Sequence, residues 1–253
     1  MNLMFDIETG PLPDRELMAM CPEWQPTEFP GGEAFDPSAV KTGNMSDPKK
    51  IEAKIAKERA AWEKAKSDHA KQQAEDETNH FERFKDRAAL DPVTGCVVVI
   101  GIHDISTNAF EAITGPLEDM MLAEWWKLYQ QVSQRRGQLV GVNIFKFDLP
   151  FLVRRSWILG VKVPADVVDL SSKWCNWSRV FRDVRTAWQL GDNQVESNFQ
   201  HLAKVFKTDG KHDGMSGKDF ARAWSEDRDA ALKYLEQDVA QPAVWARRMG
   251  LIG

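Results

Sequence analysis

The stretch "LMFDIETG", residues 3–10, restricts the fold of this chain more than any other. Leu3, Phe5 and Ile7 alternate with Met4, Asp6 and Glu8, and in a strand successive side chains point to opposite faces. A strand of this pattern buries its odd-numbered face and sets two carboxylates side by side on the other. At that spacing the charges repel, so each carboxylate must be protonated, solvated or bridged by something positive. A divalent cation is the simplest answer.

A chain of 253 residues, 43% of them hydrophobic, can hold one large domain or two small ones with a sizeable core. Its formal net charge of −5 excludes a basic nucleic-acid coat, so a polyanion would have to be held by local patches or by metal. Cys21, Cys96 and Cys175 are far apart and lack CxxC spacing, which predicts buried free thiols in a reducing compartment. No apolar run reaches the length of a membrane span and the first residues lack a signal-peptide pattern, so a cytoplasmic protein with no membrane partner is expected.

From Gly10 to Pro37 the chain is rich in Pro and Gly and reads as a loop with short helical turns. Residues 46–89 are highly charged and read as a helical insertion, with Asp47 as cap and Pro48 in the first turn. Between Lys49 and Lys71, eight Lys/Arg against four Asp/Glu leave a local balance of +4, which suits either a solvated helix face or contact with phosphates. Strands are predicted over 95–105, its hairpin partner 108–115, 138–143 and 165–170. Helices are predicted over 117–134, with Leu117, Met120, Met121, Trp125, Leu128 and Tyr129 on the apolar side, from Leu149 to a stop at Gly160, and from about Asp227 to Met249. The order of elements predicts an α/β fold, a mixed sheet flanked by helices, forming a single domain over 1–253.

Two further acidic sites stand out. In "NIFKFDLPFL" (143–152), Asp148 lies where a strand gives way to a helix, with Pro150 suited to the first turn; an isolated Asp there reads as an N-cap. In "YLEQD" (234–238), Tyr234 and Asp238 are one helical turn apart and share a face. Together, Asp-x-Glu on the first strand, Asn-x-x-x-Phe-Asp before a central helix and Tyr-x-x-x-Asp on the last helix resemble the three motifs of the DEDD exonuclease superfamily, of ribonuclease H-like fold. The set looks most like the tyrosine-containing (DEDDy) branch, which includes the proofreading domains of family-B DNA polymerases and the ribonuclease D group. "GVNIFKFDLPFLVRR", "VVDL" and "LAKVF…GMSGKDFARAW" add to the resemblance. They are similar to predicted exonucleases related to the family-B proofreading domain.

The resemblance implies roles residue by residue. Asp6 would bridge two metal ions, Glu8 and Asp238 would complete the tighter site, Asp148 would hold the looser one, and Tyr234 would orient the attacking water. The branch with a catalytic His carries it five residues before the last Asp, where this chain has Lys233. Asn143 would contact the substrate strand or order its loop; Thr9, Lys146, Phe147 and Lys218 are candidates to hold the strand, with Arg154, Arg155, Lys211 and Arg222 as further cations near phosphates. Phe147 equally suits the core, and Lys211, Lys218 and Arg222 a surface loop. Hydrolysis of a phosphodiester adds charge to an anionic group, and carboxylate oxygens are the ligands that Mg²⁺ or Mn²⁺ prefers. The expected activity is therefore two-metal 3′–5′ exonucleolysis of a single-stranded DNA end, giving nucleoside 5′-monophosphates. An RNA 3′-end exoribonuclease and a non-catalytic nucleic-acid-binding module are the alternatives, and a proofreading role would need a separate polymerase or repair partner. His103, His201 and His212 lack zinc-ligand spacing, and no phosphate-binding GxxxxGK[ST] loop or GxSxG elbow is present.

Overall fold

The computed structural model describes residues 1–168, 179–210 and 217–252, without the side chains of 217–219. The chain divides into two compact units, Met1–Leu17 with Asp86–Gly253 and, inserted between them, Met18–Lys85.

The first unit is built on a five-stranded mixed sheet, β1 (Asn2–Pro11), β2 (Gly95–Asp104), β3 (Ala109–Ile113), β4 (Gln138–Gly141) and β5 (Phe181–Asp183), in the order β3-β2-β1-β4-β5. The first three strands are antiparallel neighbours, and β4 and β5 run parallel to β1. The β2–β3 turn forms because Asp104 accepts the N–H groups of Ser106 and Thr107 while Asn108 adopts a left-handed φ of 60°. Helices α1 (Asp14–Met20), α2 (Pro48–Thr78), α3 (His80–Ala88), α4 (Glu118–Gln134), α5 (Asp148–Ile158), α6 (Val184–Gln189), α7 (Phe199–Phe206), α8 (Gly217–Glu226) and α9 (Arg228–Arg248) complete the described elements, with a 3₁₀ turn at Pro37–Ala39.

Because β1 is central, both of its faces are covered. Leu3, Phe5 and Ile7 join Trp125, Tyr129 and Leu152 of α4 and α5 in one core. On the opposite face Met4 joins Val99, Leu202, Leu235 and Trp245 in a second core beneath α7 and α9. Each of these large side chains contributes roughly 1.5–3 kcal/mol on full burial. The alternation read from the sequence thus fixes which face of the sheet receives the acids.

Three expectations change. Helix α4 buries Met121, Leu122, Trp125, Trp126, Tyr129 and Val132, while Leu117 and Met120 stay exposed, so its apolar face is rotated from the one predicted. Of the strand expected over 165–170, residues 165–168 form turns in which Val167 and Val168 donate to Pro164 and Ala165, while Asp169 and Leu170 lie outside the described residues; the fifth strand among the described residues is Phe181–Asp183. Cys21 and Cys96 are only partly buried, and Cys175 lies outside the described residues. Gly160 does end the α5 segment in a left-handed conformation, with φ 71°.

In the second unit Asp47 caps α2 by accepting the Lys49 N–H, with Pro48 in the first turn. No residue of α2 is buried. The 18–47 segment is fastened along it by Phe29 and Phe35 against Trp62, by the Trp62 indole N–H on the Gly31 carbonyl and by the Lys54 and Lys66 ammonium groups on the carbonyls of Lys41 and Glu33.

Candidate active site

The acids converge from three elements. Asp6 and Glu8 lie on the even-numbered face of β1, opposite Gly101 and Val99 of β2, and the register shifts between Glu8 and Thr9. Such a bulge twists the strand and re-aims the side chains beside it. Asp238 reaches the same face from α9. That helix can come close because Gly101 has no side chain: a Cβ there would lie 2.7 Å from Leu235 Cγ. One carboxylate oxygen from each of Asp6, Glu8 and Asp238 lies within 4.8 Å of the others, with Glu8 and Asp238 buried. Pro242, four residues beyond Asp238, has no N–H to donate to the Asp238 carbonyl, so the helical ladder is interrupted at the acid itself.

Asp148 opens α5, and the capping position is Phe147, which makes no side-chain cap bond. In place of the predicted cap, Asp148 Oδ1 accepts the Ile7 N–H of β1 at 3.2 Å, between the two acids of that strand. Burial pushes its carboxyl up to about 7; the Ile7 N–H, its own N–H and a hydrogen bond with Asp6 oppose the rise, and the charge of Asp183 adds to it. The structure therefore gathers Asp6, Glu8 and Asp238 and links Asp148 to Asp6.

Tyr234 is buried one turn before Asp238, with its ring 6.1 Å from that of Phe220, whereas Lys233 is exposed. Thr9 is buried just past the bulge. Asn143 has a left-handed φ of 66°, and its Oδ1 accepts from Arg185 Nη1 at 3.1 Å. Lys146 is exposed, and the half-buried Phe147 packs on Phe151 at 5.6 Å. Arg154 and Arg222 are exposed. Arg155 departs from expectation: it is buried, its guanidinium paired with Glu118 at 2.9 and 2.5 Å and donating to the Pro92 carbonyl, so it is a structural cation. Lys211 and the Lys218 side chain fall outside the described residues.

A cavity of about 220 Å³ adjoins the acids, lined by Asp6, Asn143, Arg185, Asn198, Asp238 and Pro242 among others. Sequence reading missed Arg185 and Asp183. Asp183 is buried and accepts three backbone N–H groups, and its only sequence signal was an Asp three residues ahead of a helical Thr. A larger cavity of about 930 Å³, lined by Ile102, Met120, Met121 and Lys127, contains none of the motif acids.

The donor set suits a hard dication. Mg²⁺ holds oxygens at about 2.0–2.1 Å, so two ligands across one ion are roughly 4 Å apart. Neighbouring ligands of such an ion are about 3 Å apart, so the three oxygens, all within 4.8 Å of one another, would draw together to share one.

The family model that matches this chain over residues 83–252, about two thirds of its length, describes a predicted 3′–5′ exonuclease related to the exonuclease domain of PolB. The chain belongs to that family. Asp148, Tyr234 and Asp238 lie within the matched span, and Asp6 and Glu8 precede it. No curated protein matches the chain. Among solved structures, the family B DNA polymerase from the hyperthermophilic archaeon Pyrobaculum calidifontis is similar over 65% of this chain, at 19% identity and a TM-score of 0.49. The similar region covers 23% of that polymerase. The exonuclease family and the observed mixed sheet with flanking helices agree with the fold expected from the motifs. Among the described residues no helix is long and apolar enough to cross a membrane.

Proposed function

We propose that the protein is a metal-dependent 3′–5′ exonuclease of the tyrosine-containing branch, acting on single-stranded DNA ends and releasing nucleoside 5′-monophosphates. The observation that carries this reading is the convergence of Asp6, Glu8 and Asp238 within 4.8 Å, with Asp148 bonded to the strand between the first two. Like charges held this close favour the ionised state only with cations among them. Two ions, Mg²⁺ or Mn²⁺, held by Asp6, Glu8 and Asp238 and by Asp6 and Asp148, would supply activation of water and stabilisation of the leaving 3′-oxygen.

The chain's own groups do the rest. Asp148 would hold the second ion as a carboxylate, giving up the proton that its burial favours. The Tyr234 phenol orients the attacking water, and Thr9, Asn143, Lys146, Phe147 and Lys218 hold the strand end. The family's relation to the exonuclease domain of a DNA polymerase favours DNA over RNA. In this reading the whole chain serves one cytoplasmic exonuclease domain, with residues 46–89 as an insertion.

A 5′-labelled oligonucleotide incubated with Mn²⁺ should give a ladder shortening from the 3′ end. Asp6→Ala and Asp148→Ala should abolish it. Tyr234→Phe should slow it by roughly 10- to 100-fold, the scale of a misplaced reactant. Absence of a ladder with the wild-type protein, or an undiminished ladder with either Ala variant, contradicts the proposal. Faster cleavage of a matched RNA strand at equal salt would reassign the substrate.

A further inference from the structure

Asp183 ends β5 opposite Gly141 in the parallel β4–β5 ladder. Its buried carboxylate accepts three backbone N–H groups: Oδ1 takes those of Asn143 at 3.1 Å and Thr186 at 3.0 Å, and Oδ2 that of Phe145 at 3.0 Å. Asn143 and Phe145 flank the fully buried Ile144 in the turn that delivers Asp148. That turn is internally tight, with Lys146 and Phe147 both donating to the Asn143 carbonyl and Leu149 to that of Ile144. The turn begins on Asn143 in a left-handed conformation, φ 66°, which Asn tolerates better than most other non-glycine residues. Asp183 grips it at two points, and Arg185, two residues further on, fixes the Asn143 side chain while its Nε donates to Ser197.

From this geometry we infer that Asp183 is a positioning residue for Asp148. It touches neither substrate nor ion. It sets the start of α5 so that the Asp148 carboxyl meets the Ile7 N–H and Asp6, and thereby builds the second of the two ion positions. The inference rests on the nuclease reading above. A plain N-cap of the six-residue helix α6 is the competing role, and Asp183→Asn separates the two. Asn caps a helix as well as Asp does, and its one carbonyl oxygen can still serve Asn143 and Thr186. Its NH₂, however, faces the Phe145 N–H with a donor.

The test is calorimetric titration of the full chain with Mn²⁺, without nucleic acid. Wild type should bind two ions, and Asp183→Asn should weaken one class by about 10- to 100-fold, the usual scale for outer-shell partners of metal ligands, while leaving the other unchanged. Unchanged binding in both classes, or equal weakening of both, overturns the positioning role while leaving the nuclease reading intact. A wild-type protein that binds no Mn²⁺ sinks the nuclease reading and this inference with it. Amide hydrogen exchange on the wild type gives a check that does not depend on the variant folding. The Asn143 and Phe145 amides should be protected to the level of the β4 amides, and exchange at the rate of an open loop would refute the clamp.

Discussion

In the unit formed by Met1–Leu17 and Asp86–Gly253, ionic side chains are drawn inside: Glu8, Asp148, Arg155, Asp183 and Asp238 are all buried. In the Met18–Lys85 unit the long helix α2 carries eight Lys/Arg between Lys49 and Lys71 and buries no residue at all. Charges on an exposed helix cost little and are weakly coupled, so their number says little about what the helix does. A buried charge persists only with a partner, so each one has to be explained. Arg155 is explained by Glu118, and Asp183 by three N–H groups. Asp6, Glu8 and Asp238 also converge on one another, an arrangement of like charges that cations would relieve.

The largest expected effect separates the two units directly. Asp238→Ala should lower the hydrolytic rate on the order of 10³-fold or more, since metal ligands supply several kcal/mol at 1.36 kcal/mol per decade. Lys57→Ala, on the exposed face of α2, should leave the rate on a short oligonucleotide unchanged. Equal losses from the two variants would erase the distinction.

Next in size is Gly101→Val. The added carbons meet Leu235, so urea unfolding should show a loss of about 1–3 kcal/mol from overpacking. The rate should fall further than stability explains, because α9 carries Asp238. Normal activity in a destabilised variant would mean that the seating of α9 does not set the site.

The pH dependence of the metal-free protein should show the same burial. Asp148 lies at about 7 in the fold against an ordinary 3.8, so the folded chain holds this proton more tightly than the unfolded one. Its stabilising effect is complete below about pH 4 and is lost as pH rises through about 7. Urea unfolding in EDTA should therefore show wild type losing stability across that window relative to Asp148→Asn. Mn²⁺ should flatten the difference by taking the proton's place.

The smallest effect belongs to the second unit. Trp62→Ala removes the ring that meets Phe29, Phe35 and the Lys66 ammonium, contacts worth about 1 kcal/mol each at partly exposed sites. Hydrogen exchange should quicken across 18–85 and stay unchanged in β1 and β4. Quickening of the sheet amides would show that the two units do not hold their structure separately.

What the sequence disclosed follows from the range of the forces involved. Strand β1 and helix α9 were legible because alternation and capping are local patterns, as were the Asp47–Pro48 start of α2 and the Gly160 stop. The convergence of Asp6, Glu8 and Asp238 could be anticipated because the three motifs together resemble those of a known exonuclease superfamily. The partners of buried charge were not legible: Glu118 and Arg155 are 37 residues apart, and Asp183 and Asn143 are 40 apart. No periodicity links them. Strand β5 was missed because three residues are too few to show alternation, and the burial of α4 was misjudged because packing on β2 and β4 chooses among neighbouring apolar stripes.

The most direct measurement of the central claim is Mn²⁺ binding to the intact chain by calorimetry, comparing wild type with Asp6→Ala. Two ions per wild-type chain and none in the variant are predicted, because Asp6 is assigned to both positions. A wild-type protein that takes up no Mn²⁺, or an Asp6→Ala variant that binds it as wild type does, would contradict a metal-centred site at these carboxylates.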